Sequence, residues 1–246
     1  MQLNSASVAI DTRKAFAICA LLFVVGCGPA ADRPARPPAE GGEIVFVSTL
    51  RNPPYSYFDE KTKDYAGLDV EIVRAAARKL GLRLKVSQQA FQDLLPSVKT
   101  GQADCAGNSL TITPARARIV SFSDPYDYGG CVYLYRTGEP PPTTQRARNL
   151  RVGTTMVSTC HFYLCRHNVD PRCYDDYIEA LSAFRKGDLD TVFYDAAPIR
   201  ETVRTSNGAF SCTPLENREN YGIAIRKDFP ALVEAVNAVI AERRAK

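Results

Sequence analysis

Apolar positions along this chain repeat with two different periods, and their alternation predicts a mainly parallel sheet covered by helices. Residues 44–48 form a short apolar run suited to a strand. After a turn marked by Pro53 and Pro54, the residues Val70, Ile72, Val73, Ala76, Ala77 and Leu80 recur at helical spacing, and Gly81 supplies the stop. Residues 82–86 predict a second strand, Phe91, Leu94, Leu95 and Val98 a short helix, and residues 104–109 a third strand. The extended segment Cys131–Arg136 runs into prolines at 140–142, a composition break expected at a domain boundary. A second round then begins, with strands expected at 150–155 and 191–194 and helices at 158–167 and 177–186. Residues 221–226 are again extended. If they return beside Cys131–Arg136, two strands join two lobes around a hinged cleft, with the closing helix, 230–242, on the first lobe.

The first residues change the picture of where the chain works. Arg13 and Lys14 precede an uncharged apolar run, 15–25, that is too short to span a bilayer and has the layout of a secretory signal. Its end, Val24-Val25-Gly26-Cys27, resembles the bacterial lipobox, so residues 1–26 are expected to be cleaved and Cys27 to carry the lipid; an ordinary signal cleaved near a cysteine is the plainer alternative. Residues 27–42, rich in Pro, Ala and charge, read as a flexible tether, and folding is expected to start at residue 43. The expectation is a periplasmic or otherwise extracytoplasmic protein held to a membrane by lipid.

Of 31 basic and 27 acidic side chains, Arg13, Lys14 and Asp11 leave with the leader; the remaining 29 and 26 give a net charge of +3, too balanced for a nucleic-acid binder. The folded part, about 200 residues, holds enough chain for two cores. Eight cysteines become six once Cys19 and Cys27 are set aside, and an even number in an exported chain suggests disulfides. By lobe, Cys105 falls with Cys131, and Cys160, Cys165, Cys173 and Cys212 fall together. That parity favours one bridge in the first lobe and two in the second, although a bridge across the lobes would escape the count. His161 and His167 stand beside Cys160 and Cys165, but the spacing matches no strong metal signature, and neither a metal nor another cofactor is expected.

Short motifs follow one another in an ordered series: Pro53-Pro54-Tyr55-Ser56-Tyr57, Gly67-Leu68-Asp69-Val70, Leu94-Leu95-Pro96, Gly101-Gln102-Ala103-Asp104, and Ser109-Leu110-Thr111-Ile112-Thr113-Pro114-Ala115-Arg116. Then come Phe122-Ser123-Asp124-Pro125-Tyr126, Val152-Gly153, Ala180-Leu181, Gly187-Asp188-Leu189-Asp190, Asp195 and Tyr221-Gly222-Ile223-Ala224. In this order they resemble the bacterial extracellular solute-binding proteins of family 3, the periplasmic amino-acid-binding components of ABC transporters. The resemblance implies an α/β, two-lobe, type II periplasmic-binding-protein fold: two mainly parallel sheets flanked by helices and joined by two crossover strands. The first lobe is expected at 43–137 and 222–246, the second at 138–221.

The residues of the central block agree with that role. Thr113 can cap a helix that begins at Pro114, and Arg116 in its first turn can grip a carboxylate through two parallel hydrogen bonds; a solvated surface arginine is the plain alternative. The resemblance places the ligand's carboxylate on Arg116, with Asn108, Ser109 and Thr111 completing the site. It places an ammonium on Asp195, for which a helix cap is the competing role, and at Ser158 and Thr159 the second-lobe hydroxyls that reach the carboxylate. Phe91 matches a stacking position. Asn52 stands where the family often has an aromatic ring, Tyr55 lies in the same loop, and Met156-Val157 replaces a glycine-containing stretch and is expected to narrow the pocket. The partners implied are a small amino-acid-like solute and a membrane permease, and a monomer is expected. Two other functions share the fold: a dehydratase-like enzyme, for which the sequence offers no acid or base beyond Asp195, and an accessory or sensory lipoprotein.

Overall fold

Ile44, Phe46 and Val47 are all buried, so the strand they form needs cover on both faces. In the computed structural model, which describes residues 42–245, that strand, β1 (Glu43–Ser48), lies inside a five-stranded sheet. The leader, Cys27 and the tether up to residue 41 lie outside the described residues. A small meander follows, β2 (Arg51–Asn52), β3 (Ser56–Asp59) and β4 (Asp64–Ala66), antiparallel throughout. Its strands are too short and polar to show a period in the sequence. Next come α1 (Leu68–Lys79), β5 (Arg83–Gln88), α2 (Phe91–Lys99) and β6 (Cys105–Ala106). The third strand is shorter than expected because the backbone leaves the sheet at Gly107 and enters the left-handed region at Ser109, φ 49°.

The single turn α3 (Pro114–Ala117) is capped by Thr113, whose hydroxyl accepts from Arg116 N at 3.2 Å. β7 (Ser121–Phe122) closes one edge of the first sheet, and β8 (Asp127–Gly129) leads out of it into β9 (Cys131–Arg136). The second half runs α4 (Thr144–Ala147), β10 (Val152–Thr155), α5 (Thr159–Arg166), β11 (Arg172–Tyr174), α6 (Tyr177–Lys186), β12 (Thr191–Asp195), α7 (Ala196–Arg204) and β13 (Phe210–Cys212). The chain returns through β14 (Glu219–Tyr221) and β15 (Ala224–Ile225) and ends in α8 (Pro230–Arg244).

The first sheet has the order β5-β1-β6-β15-β7, the second β11-β10-β12-β9-β13. In each, the first three strands of that order pair in parallel and the last two are added by antiparallel pairing. Side chains alternate between faces as a pleated strand requires. On β12, Val192 and Tyr194 face the core shared with α6 and α7, while Phe193 faces the one shared with α5. On the first sheet, Ile44 and Phe46 pack with Val70, Val73, Val236 and Ile240 of α1 and α8, and Val47 packs with Leu94 and Val98 of α2. Each such side chain contributes about 1.5 to 3 kcal/mol by leaving water.

The crossover differs from the expected one. The strands that pair between the two sheets are β8 and β14, with Asp127 opposite Tyr221. Cys131–Arg136 is instead an interior strand of the second sheet, buried from Cys131 to Leu134, between β12 and β13. The run 221–226 is divided: Tyr221 ends β14, and Ala224 and Ile225 pair in the first sheet. The cysteine count changes with it, because Cys131 belongs to the second sheet and is bridged to Cys160 of α5, while Cys105 is buried and free. Cys165, Cys173 and Cys212 are also free, so the expected two bridges among the later cysteines are absent from the described residues.

Candidate functional site

Where β6 ends, the chain builds a loop held from several sides. Asp69, fully buried in the first turn of α1, accepts from Ser109 N at 3.3 Å, and any side chain at Gly107 would collide with it, at 2.8 Å from a Cβ. The Asn108 carboxamide oxygen accepts from Thr49 at 2.6 Å and from Ser48 at 3.1 Å. Asn52 Nδ2 donates to Ser109 Oγ at 3.0 Å. Burial raises the Asp69 carboxyl to about 7, and interactions with the Tyr126 hydroxyl and then with Ser109 N pull against that rise.

This loop faces the ends of β10 and β12 and the first turn of α5 across a narrow cleft. Phe91, Asn108, Ser109, Thr111 and Arg116 line one wall, and Thr155, Ser158, Thr159, Tyr194 and Asp195 the other. The walls touch: Ser109 Oγ donates to Asp195 Oδ2 at 2.7 Å, and the Thr111 and Thr159 hydroxyls are 3.3 Å apart. The enclosed volume is about 10 Å³, room for about one water, so the cleft is closed. Beside it opens a crevice of about 340 Å³, lined by Thr49, Gln88, Gln89, Asp175 and Glu179, with Arg51 paired to Asp176 at 3.0 Å. That ion pair joins β2 to the cap of α6.

Two buried carboxyl groups, Asp195 and Glu219, and the half-buried Arg116 meet at the cleft. The Arg116 guanidinium donates to Thr111 O at 3.0 Å and lies 5.8 Å from the centre of the Phe91 ring. Burial lowers its pKa, and the carboxylates of Glu219 and Asp195 oppose the fall. Asp195 is pushed up to about 7, first by burial and then by the charge of Glu219; the bond from Ser109 and the charge of Arg116 work the other way. Glu219, on the crossover strand β14, accepts at Oε2 from Thr111 at 2.6 Å and from Thr159 at 3.1 Å. The arrangement suits a small molecule with separated charges: one cation on one wall, a carboxylate on the other, and hydroxyls between them.

Not every expected site residue is in the lining. Tyr55 is buried, but its hydroxyl donates to Asp127 Oδ2 at 3.0 Å and its ring packs edge-on against Tyr221, so it braces the crossover. Asn52 touches the cleft only through Ser109. Met156 and Val157 do not narrow the pocket: both are exposed, and Val157 has φ 60°. The histidines lie outside the lining too; His161 Nδ1 accepts from Val157 N at 3.2 Å, and His167 Nδ1 lies 2.7 Å from Tyr163 O. Cys131, Cys160 and Asp195 converge within 4.8 Å, but both sulfurs are consumed in the disulfide and offer no thiolate to a metal.

Glu219, Asp69, Thr155 and Tyr194 were not expected. A signal existed for Asp69, which shares helical spacing with Ile72, Val73 and Ala76 and so falls on the buried face of α1. No periodicity marks Glu219, whose strand is three residues long.

Residues 44–246 match the profile of bacterial extracellular solute-binding proteins, family 3. A probable histidine-binding protein of Neisseria gonorrhoeae is 27% identical over 235 residues, covering 92% of this chain and 87% of that protein. The ABC transporter arginine-binding protein 1 of Escherichia coli K12 is 26% identical over 210 residues, covering 82% and 86%. Among solved structures, the holo arginine-binding protein of T. maritima superposes with a TM-score of 0.75 at 29% identity, covering 83% of this chain and 91% of that one. The fold is therefore the two-lobe type II periplasmic-binding-protein fold. No helix among the described residues is long and apolar enough to cross a membrane.

Proposed function

This chain belongs to the bacterial extracellular solute-binding proteins of family 3, and from that premise we propose that it captures an amino acid or a similar small zwitterion between its two lobes and presents it to an ABC permease, performing no chemistry on it. The observation that carries the reading is that half-buried Arg116 and buried Asp195 lie on opposite walls of one closed cleft. A solute carboxylate takes the guanidinium and a solute ammonium takes Asp195; charge-assisted hydrogen bonds contribute about 1.5 to 3 kcal/mol each. Asn108, Ser109, Thr111, Ser158 and Thr159 surround the polar head, and Phe91 packs against the rest. The relatives support an amino acid as the class of solute, since their names specify histidine and arginine.

Solute enters when the lobes part about β8 and β14. The first lobe is the body around the β1 sheet with the closing helix, the second the body around the β12 sheet. The protein acts as a monomer on the outer side of a membrane, tied to it by lipid on Cys27 after removal of residues 1–26. The test is a thermal-shift screen of the purified protein against the twenty amino acids, dicarboxylates and small amines. Stabilisation by amino acids is expected; stabilisation by none of these classes overturns the reading.

A further inference from the structure

Six side chains with hydroxyls line the cleft, those of Ser109, Thr111, Thr155, Ser158, Thr159 and Tyr194, and each has a single proton to give. Ser158 donates its proton to the Thr155 carbonyl at 2.6 Å. Ser109 donates to Asp195 Oδ2 at 2.7 Å or to Asn108 O at 2.6 Å. Thr111 and Thr159 both point at Glu219 Oε2. Even if one of the two threonines donates to the other, the second proton still ends on Glu219, and neither threonine has a proton left for the cleft.

Glu219 cannot easily turn away from this task. It is 6% exposed, and its other oxygen accepts from Asn217 Nδ2 at 2.8 Å. Asn217 is itself fixed, because its oxygen accepts from Cys131 N at 2.7 Å. The side chain that reaches both walls of the cleft is thus held from behind by the crossover and by the first residue of β9.

We infer that Glu219 is a specificity-determining positioning residue: by taking the protons of Thr111 and Thr159 it turns both hydroxyls into acceptors, so the part of the solute lying against them must be an N–H donor. The inference rests on the reading of the cleft as a solute site. It gives the cleft a polarity. Arg116 receives the carboxylate, and the solute's ammonium lies among Asp195, Thr111 and Thr159, all accepting. A solute without that ammonium leaves lone pairs facing lone pairs in a buried site, which is the strong form of discrimination by hydrogen bonding.

Glu219→Gln tests the polarity without changing the shape. Asn217 presents an N–H to residue 219, so the glutamine must turn its oxygen there and its nitrogen toward the threonines. The amide then donates to them, and a threonine proton is released into the cleft. The measurement is calorimetric titration with L-arginine against 5-guanidinopentanoate, and with L-histidine against 3-(imidazol-4-yl)propanoate, pairs that differ only in the α-amino group. Should another amino acid give the largest shift in the thermal screen, it and its des-amino acid form the pair. The wild-type protein is expected to prefer the amino acid strongly, and Glu219→Gln to shrink that preference by about tenfold or more. Thr159→Val is expected to shrink it too, and serves if the glutamine variant does not fold. A preference that is unchanged, or a loss shared equally by both members of a pair, overturns the inference, since a merely structural role weakens both alike. A wild-type protein that binds no amino acid fails at the earlier step, the capture of solute itself.

Discussion

Ser109 Oγ donates to Asp195 Oδ2 at 2.7 Å, a bond between the loop that leaves β6 in one sheet and the last residue of β12 in the other. It is made across the cleft, so it exists only while the walls are together. A solute ammonium competes for the same carboxylate. Closure without solute and capture of solute therefore draw on one group, and substitutions at the cleft act on both.

Arg116→Ala removes the cation of one wall. A solute carboxylate would then be buried with no opposite charge, at a cost of about 2 to 5 kcal/mol, so affinity is expected to fall at least about tenfold. Asp195 and Glu219 would also lose the positive charge that faces them. Calorimetric titration of the variant with the solute found by screening is the check, and an affinity equal to the wild type would remove Arg116 from the site.

The pH dependence has a definite sign. In the folded, solute-free protein Asp195 titrates at about 7, raised from 3.8 chiefly by burial, so the carboxyl favours its proton more when folded than when unfolded. Its contribution to stability is fully present below pH 3.8 and is lost as pH rises through about 7. Asp195→Asn should therefore gain stability relative to wild type as pH is raised from 4 to 8, measured as the difference in melting temperature at the two ends. An ammonium beside Asp195 favours its charged form, so solute binding releases a proton below about pH 7 and affinity rises with pH over that range. Calorimetry in buffers of different ionisation enthalpy would detect that proton; no release would place the ammonium elsewhere.

The long periodic elements were legible in the sequence: α1, α2, α6 and β1 fall within a few residues of where spacing put them. So was the capped turn at Thr113 and Pro114, because capping depends on adjacent residues. What could not be read was set by contacts between distant segments. Cys131–Arg136 has the same apolar run whether it crosses between sheets or lies inside one, and only its pairing with β12 decides. Tyr55 sits in a motif next to the cleft, yet the Asp127 carboxylate takes its hydroxyl. Glu219 acquires its role from Thr111 and Thr159, donors on two distant segments that leave no local mark at residue 219.

Val157 stands just before the cap of α5 with φ 60°, a conformation that costs an L-residue about 1 to 2 kcal/mol and crowds a β-branched side chain most. Its side chain recovers only part of that cost, being 42% exposed. Val157→Gly is expected to raise stability by about 1 kcal/mol, a shift of about 2 to 4 °C in melting temperature for a chain of this size. A fall in melting temperature would mean that packing of the valine outweighs the backbone cost.

The Cys131–Cys160 bridge ties the start of β9 to the first turn of α5, the turn that carries Thr159 into the cleft. The bridged residues are 29 apart, a closed loop whose lost entropy in the unfolded chain corresponds to about 3 to 4 kcal/mol in the chain-entropy account. Each sulfur also lies against an acid of the site, Cys160 Sγ at 3.8 Å from Asp195 and Cys131 Sγ at 3.9 Å from Glu219. Replacing both cysteines by serine should therefore lower stability by roughly that amount and weaken solute binding as well, because Thr159 and both carboxylates lose a fixed neighbour. Denaturant unfolding of the two proteins measures the first effect and titration the second. The outcome that counts against the bridge is equal stability, and reaction of the denatured, unreduced protein with a thiol reagent offers an independent count: Cys105, Cys165, Cys173 and Cys212 should be modified, and Cys131 and Cys160 should not.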